Sequence, residues 1–302
     1  MVAVFGHRGA RGLLPENTLA GFHLARELAL TGVEFDVGVT ADGVAVVHHD
    51  AQLNPDLARD RYGAYVGTDG PLVRDLSFQQ LETYDVGRLR AGSAYAARYP
   101  AQRPIDGERI PGFGDVLEAC STMDLLIEVK SFPDWPEATL SPGRLVEKVL
   151  TLLRAANGIR NAVLYAFDWR VLEEAAVLEP SLRRCCLTEP ETVKQADLWF
   201  GKTRLADFEP DCPGAVPRAV ASTGAVVWAP FHKMLDKLEM AEAKRLGLTV
   251  IPWTVNEVED IHRMIDLEVG GIISDWPDRA KEILISRHVK IAPPGFVAGL
   301  SG

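Results

Sequence analysis

The feature that most limits the fold is a rhythm of short apolar runs separated by helical spacing. Runs with strand character lie at 2–5, 33–39, 124–129, 162–166, 182–187, 225–228, 248–252 and 271–274. Segments with a helical apolar face fall near 143–157, 169–178, 213–222, 235–246, 256–268 and 278–288. Strand and helix in alternation favour a parallel sheet covered by helices. The stretch 204–208 has only weak strand character; without it the strands number eight, as in a closed TIM-type (β/α)8 barrel. A chain of 302 residues fits one such barrel carrying an insertion. No Gly-rich dinucleotide fingerprint follows the first strand.

Gly6 ends the first apolar run and leaves His7 at its C-terminal end. Asn17 or Thr18 can cap a helix to about Ala29, with Leu19, Phe22 and Ala25 on one face. After the second strand, Thr40-Ala41-Asp42-Gly43 reads as a tight turn, and Val44–Val47 returns toward His48 and His49. So short a link cannot make a parallel crossover, so this piece is a hairpin arm and not a barrel strand. Residues 51–111 show no sustained period and are expected to form an inserted lobe with a few helical turns, within a single barrel domain of 1–302. The delayed helix is expected at 113–120.

The formal net charge of −10 and the absence of a Lys/Arg block argue against a nucleic-acid partner. Four cysteines with no CxxC pair, two of them adjacent, fit neither a structural zinc site nor a simple disulfide. No signal peptide is visible, and no run reaches the roughly 18 apolar residues of a membrane span. A cytoplasmic protein is expected, with self-association left open.

Polar residues at the C-terminal ends of barrel strands face the mouth, where TIM-barrel active sites sit. Here they are His7-Arg8, Glu34 and Asp36, His49-Asp50, Glu128 and Lys130, Asp168, Trp253-Thr254 and Asp275. Glu34 and Asp36 are two apart on a strand and share a face; Glu128 and Lys130 repeat that geometry. Burying several carboxylates together is unfavourable unless a cation or protons compensate. Glu34, Asp36 and Glu128 would suit one hard divalent cation, Mg2+ or Ca2+. Ordinary alternation, with the acids paired to Arg8 and Lys130, is the competing account. His7 and one of His48 or His49 are the acid/base candidates, because a phosphodiester needs one proton removed and one delivered. Arg8 and Lys130 could hold nonbridging phosphate oxygens or only balance the acids. Trp253 could wall a pocket against an apolar or glycerol-like group, or simply pack. His23, His232, His262 and His288 read as surface or capping residues.

Together these segments resemble the glycerophosphodiester phosphodiesterase family. The resemblance runs through Gly6-His7-Arg8-Gly9, Pro15-Glu16-Asn17-Thr18, Glu34-Phe35-Asp36-Val37, His49-Asp50 and Ile127-Glu128-Val129-Lys130. It continues in Trp253-Thr254-Val255-Asn256 and Gly271-Ile272-Ile273-Ser274-Asp275-Trp276-Pro277, so it spans residues 3 to about 285. It implies a TIM barrel with a lobe after the second strand and its hairpin. It also implies His7 and His49 as the catalytic pair, Glu34, Asp36 and Glu128 as metal ligands, and Arg8 and Lys130 on the phosphate. The implied reaction is metal-dependent hydrolysis of glycerophosphodiesters to glycerol 3-phosphate and an alcohol. Either the glycerol 2-hydroxyl or water would attack first.

Two departures bear on specificity. The Leu-x-Arg-Thr-Thr run common after His-Asp in the family is replaced here by Leu53-Asn54-Pro55-Asp56, and a common Ser-Phe is Ala166-Phe167. Tyr62, Tyr65, Tyr95 and Tyr99 of the lobe could cover the pocket, pack, or support self-association. Rival readings are a phosphodiesterase acting on lysophospholipids or another phosphodiester, a two-carboxylate glycosidase, and a non-catalytic binding barrel.

Overall fold

A computed structural model describes residues 1–202 and 208–300. The strands are β1 Ala3–His7, β2 Gly32–Val39, β3 Ala45–Val47, β4 Asp124–Val129, β5 Ala162–Ala166, β6 Arg183–Thr188, β7 Val227–Pro230, β8 Thr249–Val250 and β9 Gly271–Ser274. Eight run parallel in the order β8-β7-β6-β5-β4-β2-β1-β9, and β3 pairs antiparallel with β2. The ring closes through backbone bonds from Gly270 N to Val250 O (2.9 Å) and from Ile273 N to Pro252 O (3.1 Å). β8 is short because Pro252 has no N–H to donate, although its carbonyl still joins the ladder. The barrel expected from the alternation is therefore present, with its hairpin. The weak strand expected over 204–208 falls almost wholly outside the described residues.

The period of two explains how the barrel is filled. Ala3, Phe5, Leu126, Val163, Tyr165, Cys185, Leu187, Val227, Ala229, Ile251 and Ile273 point inward as one cluster. Their neighbours, such as Val4, Leu125, Ile127, Leu164 and Ile272, point outward under the helices. Continuing each inward set by one step gives His7 on β1, Glu128 on β4, and Phe167, Glu189, Trp253 and Asp275 just past β5, β6, β8 and β9. The opposite end is closed by the C-terminal segment, where Asp124 accepts from the backbone N–H of Gly295 (2.9 Å) and Val297 (3.0 Å).

Residues 51–111 leave the barrel after β3 and return beside it, Val47 N donating to Pro111 O (3.0 Å). They hold two short helices, Phe78–Leu81 and Ala94–Arg98, and a small core of Leu53, Leu57, Ala58, Val73, Leu81, Val86 and Ile110 with Val46. His232 departs from the surface role expected for it. It is buried, 3.2 Å from Arg263 and 3.4 Å from Asp260, outside the pocket. No helix among the described residues is long and apolar enough to cross a membrane.

Candidate active site

The loop after β1 is built around two close approaches. A Cβ on Gly6 would lie 1.8 Å from the Gly9 carbonyl oxygen, and Gly9 has φ +89°, so both positions need glycine. Between them Arg8 takes φ +50°, an uncommon conformation for a side-chain-bearing residue. It is held by its own N–H donating to Glu34 (3.2 Å) and its carbonyl accepting from Asn17 N (3.0 Å). Asn17, also left-handed at φ +53°, donates from Nδ2 to Asp36 (2.9 Å). Thr18 caps the helix Leu19–Glu27 by accepting from Gly21 N (3.2 Å). The two N-terminal motifs are thus one turn that fixes Arg8 against the acids of β2.

Register brings the remaining groups together. β1 sets His7 beside Glu34, and β4 sets Glu128 beside Asp36. One carboxylate oxygen each from Glu34, Asp36 and Glu128 lies within 4.8 Å of the others, and all three residues are buried. Lys130 Nζ is 2.6 Å from Glu128 and 3.7 Å from Asp36; Arg8 is 2.7 Å from Glu16 and 3.4 Å from Asp36. Burial would raise the Asp36 carboxyl, but His49, Arg8, Lys130 and the Asn17 bond outweigh it and hold it well below the usual range. Glu34 is pushed well above that range by burial and by the charges of Asp36 and Glu128. Burial also raises Glu128, against the pull of Lys130. Arg8 and Lys130 therefore do not balance the cluster. A bound divalent cation would replace the missing positive charge, so the donor set fits one.

Each histidine has a carboxylate behind it. His7 Nδ1 is 2.6 Å from Asp275, leaving Nε2 3.6 Å from Glu34. His49 Nδ1 is 2.5 Å from Asp50, which Asn54 steadies from Nδ2 (2.8 Å). With Nδ1–H donated to the carboxylate, Nε2 is the ring nitrogen left to exchange a proton; Arg11 Nη2 also lies 3.1 Å from His7 Nδ1. Burial and then Arg11 lower the His7 pKa; loss of water, with Arg8 and Lys130 near, lowers His49 to about 4. His48, the rival candidate, is buried and contacts the Gln52 carbonyl (3.3 Å), whereas His49 lines the pocket.

The mouth encloses a cavity of about 400 Å³. His7, Arg8, Glu34, His49, Glu128, Lys130 and Trp253 all line it, and Asp36 lies just behind. Asp168, also a strand-end acid, instead caps the helix Trp169–Leu178 and accepts from Ser131 (2.6 Å). Arg11 was missed in the sequence: it lines the cavity and grips Asp275 with two bonds (2.9 and 3.1 Å). Its signal was weak, since a loop arginine reads as surface and its partner is 264 residues away. From the lobe, Tyr95 donates to Glu16, Tyr99 lies under the Arg11 guanidinium (4.9 Å), and Arg98 reaches the cavity. Tyr62 stays exposed.

A parallel barrel that gathers a buried acid trio and two carboxylate-backed histidines at its mouth has the build of an enzyme site, and comparison with known proteins narrows it. The profile of the glycerophosphoryl diester phosphodiesterase family matches residues 7–279. A crystal structure of a protein assigned to that class, from Silicibacter pomeroyi DSS-3, superposes with a TM-score of 0.86 at 34% identity, covering 96% of this chain and 95% of that one. A glycerophosphodiester phosphodiesterase of Caldanaerobacter subterraneus subsp. tengcongensis is 28% identical over 91% of this chain and 94% of its own. The fold is shared with an Oleispira antarctica phosphodiesterase solved with the product sn-glycerol-3-phosphate (TM-score 0.67, 19% identity, 94% and 96% covered). The chain belongs to the glycerophosphoryl diester phosphodiesterase family and is an enzyme of that class.

Proposed function

We propose that the enzyme hydrolyses glycerophosphodiesters to glycerol 3-phosphate and an alcohol, with one divalent cation, Mg2+ or Ca2+, as cofactor. The observation that carries this reading is the buried trio Glu34, Asp36 and Glu128, close together and short of positive charge, between two oriented histidines. These three residues would hold the cation, which when bound supplies positive charge to the phosphoryl oxygens. Arg8 and Lys130 leave part of their pairing with the acids to bind the nonbridging oxygens. Of His7 and His49, one takes the proton of the attacking hydroxyl, from water or the glycerol 2-position. The other delivers a proton to the alkoxide as the phosphorus–oxygen bond breaks. Asp275 and Asp50 hold the rings, and Trp253 walls the cavity. The product bound to the Oleispira antarctica protein agrees with glycerol 3-phosphate as the retained half.

The test is release of glycerol 3-phosphate from a panel of glycerophosphodiesters and lysophospholipids, after chelation and after metal add-back. Release that stops with chelator and returns with metal is expected. A metal-replete enzyme that releases none from any member overturns the reading; release unaffected by chelation overturns the cation.

A further inference from the structure

Glu16 belongs to the turn that fixes Arg8, yet the chemistry above gives it no part. It is buried, and both of its carboxylate oxygens are taken. Arg8 Nη1 donates to Oε1 (2.7 Å), and the Tyr95 hydroxyl donates to Oε2, with Arg11 Nη1 4.0 Å from the same oxygen. Tyr95 comes from the inserted lobe, 79 residues further along the chain. It sits on the short helix Ala94–Arg98, which Ser93 caps by accepting from Ala96 N (3.0 Å). Arg98 lies over its ring (4.6 Å), and Tyr99 meets that ring edge to face (5.4 Å, 66°). The next residues tie the lobe to the β1 loop: Gln102 Nε2 donates to Arg11 O (2.7 Å) and Arg103 N to Leu13 O (2.9 Å). Tyr65 of the same lobe differs, because its hydroxyl donates to the Arg88 carbonyl (3.1 Å) inside the lobe. Burial would raise the Glu16 carboxyl, but Arg8, Arg11 and the bonds from Tyr95 and Arg8 outweigh it and hold it down. Burial and the Glu16 charge push the Tyr95 hydroxyl up. The pair is therefore a phenol donating to a carboxylate.

Arg8 has acids on two sides, Glu16 at 2.7 Å and Asp36 at 3.4 Å, and its buried Nε has no hydrogen bond. Which acid anchors it decides where its remaining N–H groups point, and a planar guanidinium grips an oxyanion only in the right orientation. We infer that Tyr95 is a positioning residue: by fixing the Glu16 carboxylate it anchors Arg8 for the phosphate, which makes the inserted lobe part of the active site. With phenylalanine at 95, Glu16 Oε2 is free to turn to Arg11. Arg8 then loses its anchor and closes on Asp36, away from a nonbridging oxygen. This rests on the phosphodiesterase reading of the same site, in which Arg8 holds the phosphate.

A double-mutant cycle on the whole chain tests it with two readouts. Calorimetric titration of sn-glycerol 3-phosphate into the protein with Mg2+ gives affinity without turnover, and kcat/KM is measured on glycerophosphocholine. Tyr95→Phe, Arg8→Lys and the pair are compared, with Tyr65→Phe as control and thermal melts to check folding. Tyr95→Phe is expected to weaken affinity and kcat/KM about tenfold. In the Arg8→Lys background it should add less than about twofold, because a residue acting through Arg8 has nothing left to position. If Arg8→Lys does not fold, Glu16→Gln replaces it in the cycle with the same expectation. Tyr95→Phe within about twofold of wild type, an equal loss in both backgrounds, or an equal loss from Tyr65→Phe would each overturn the inference. A wild type that hydrolyses no diester yet shows the coupling in glycerol 3-phosphate binding would overturn the proposed reaction and leave the positioning role standing. No saturable binding of glycerol 3-phosphate to wild type would overturn both.

Discussion

The barrel mouth is made of two halves that bury different chemistry. From β9 through β1 and β2 to β4 it holds Asp275, His7, Arg8, Glu34, Asp36, Glu128 and Lys130, nearly all charged and nearly all buried. From β5 to β8 it holds Phe167, Trp199 and Trp253 with a single acid, Glu189. The aromatic half packs as a core would, and its burial favours folding. The charged half does not, since ions removed from water without full compensation oppose folding. Each half should therefore respond to substitution in its own way: the charged half in turnover, the aromatic half in affinity and stability.

The largest effect is expected from Glu128→Gln. It removes one negative donor from the trio and leaves Lys130 with Asp36 (3.7 Å) as its remaining ion pair, so kcat should fall by about 10³-fold or more, roughly 4 kcal/mol of barrier. Steady-state kinetics across a metal titration checks this, with the affinity for activating cation falling in parallel. A variant within tenfold of wild type would remove the reason to set this half apart.

Asp275→Asn comes next. An amide can donate to His7 Nδ1 and so favour the wrong tautomer, while Arg11 loses its counter-charge. A fall in kcat of about 10²-fold is expected, with KM nearly constant and an altered acid limb of the pH profile. A loss confined to thermal stability would make Asp275 merely structural.

The charged half was more legible in the sequence than the aromatic half, for a physical reason. Acids and histidines repeated at strand ends are rare without a use, so Glu34, Asp36, Glu128, His7 and His49 stood out. Trp199 did not, because an apolar ring on a short helix reads as packing, and Phe167 drew notice only beside the serine replaced by Ala166. The barrel was legible because alternation fixes inward and outward faces. Partnerships such as Arg11 with Asp275 were hidden because only closure of the ring joins β1 to β9. His232 was misread because its partners, Asp260 and Arg263, come from the next helix but one.

The charged half should oppose folding when no cation is present, and Glu34→Gln tests that directly. Burial, Asp36 and Glu128 raise the Glu34 pKa in the folded chain. A carboxyl whose folded pKa is raised leaves stability intact below the unfolded value, about 4.3. Stability is then lost as pH climbs from there through the folded value. His7 and His49, whose folded pKa values are lowered, act in the opposite direction over this window, so the Glu34 contribution is read as the difference between the chelated wild type and Glu34→Gln, and that difference should grow from mildly acidic to neutral pH. At pH 7 the variant should melt higher by about 2 °C, the size of roughly 1 kcal/mol in a chain this long. Calorimetry with chelator checks it; a variant melting below wild type at pH 7 would show the acids to be balanced already.

The smallest effect on turnover is expected in the aromatic half, from Trp253→Leu. The indole is half-buried, stands 5.3 Å from Phe167 and 5.7 Å from Phe231, and donates to Ala229 O, so leucine removes ring contact and one hydrogen bond. KM should rise about tenfold with kcat changed little, because a wall that contacts substrate and transition state alike contributes uniform binding. Stability should fall by about 1–2 kcal/mol, less than for a fully buried tryptophan. If kcat fell by orders of magnitude with KM unchanged, Trp253 would belong with the histidines, and the division of the mouth would run through β8 rather than between β4 and β5.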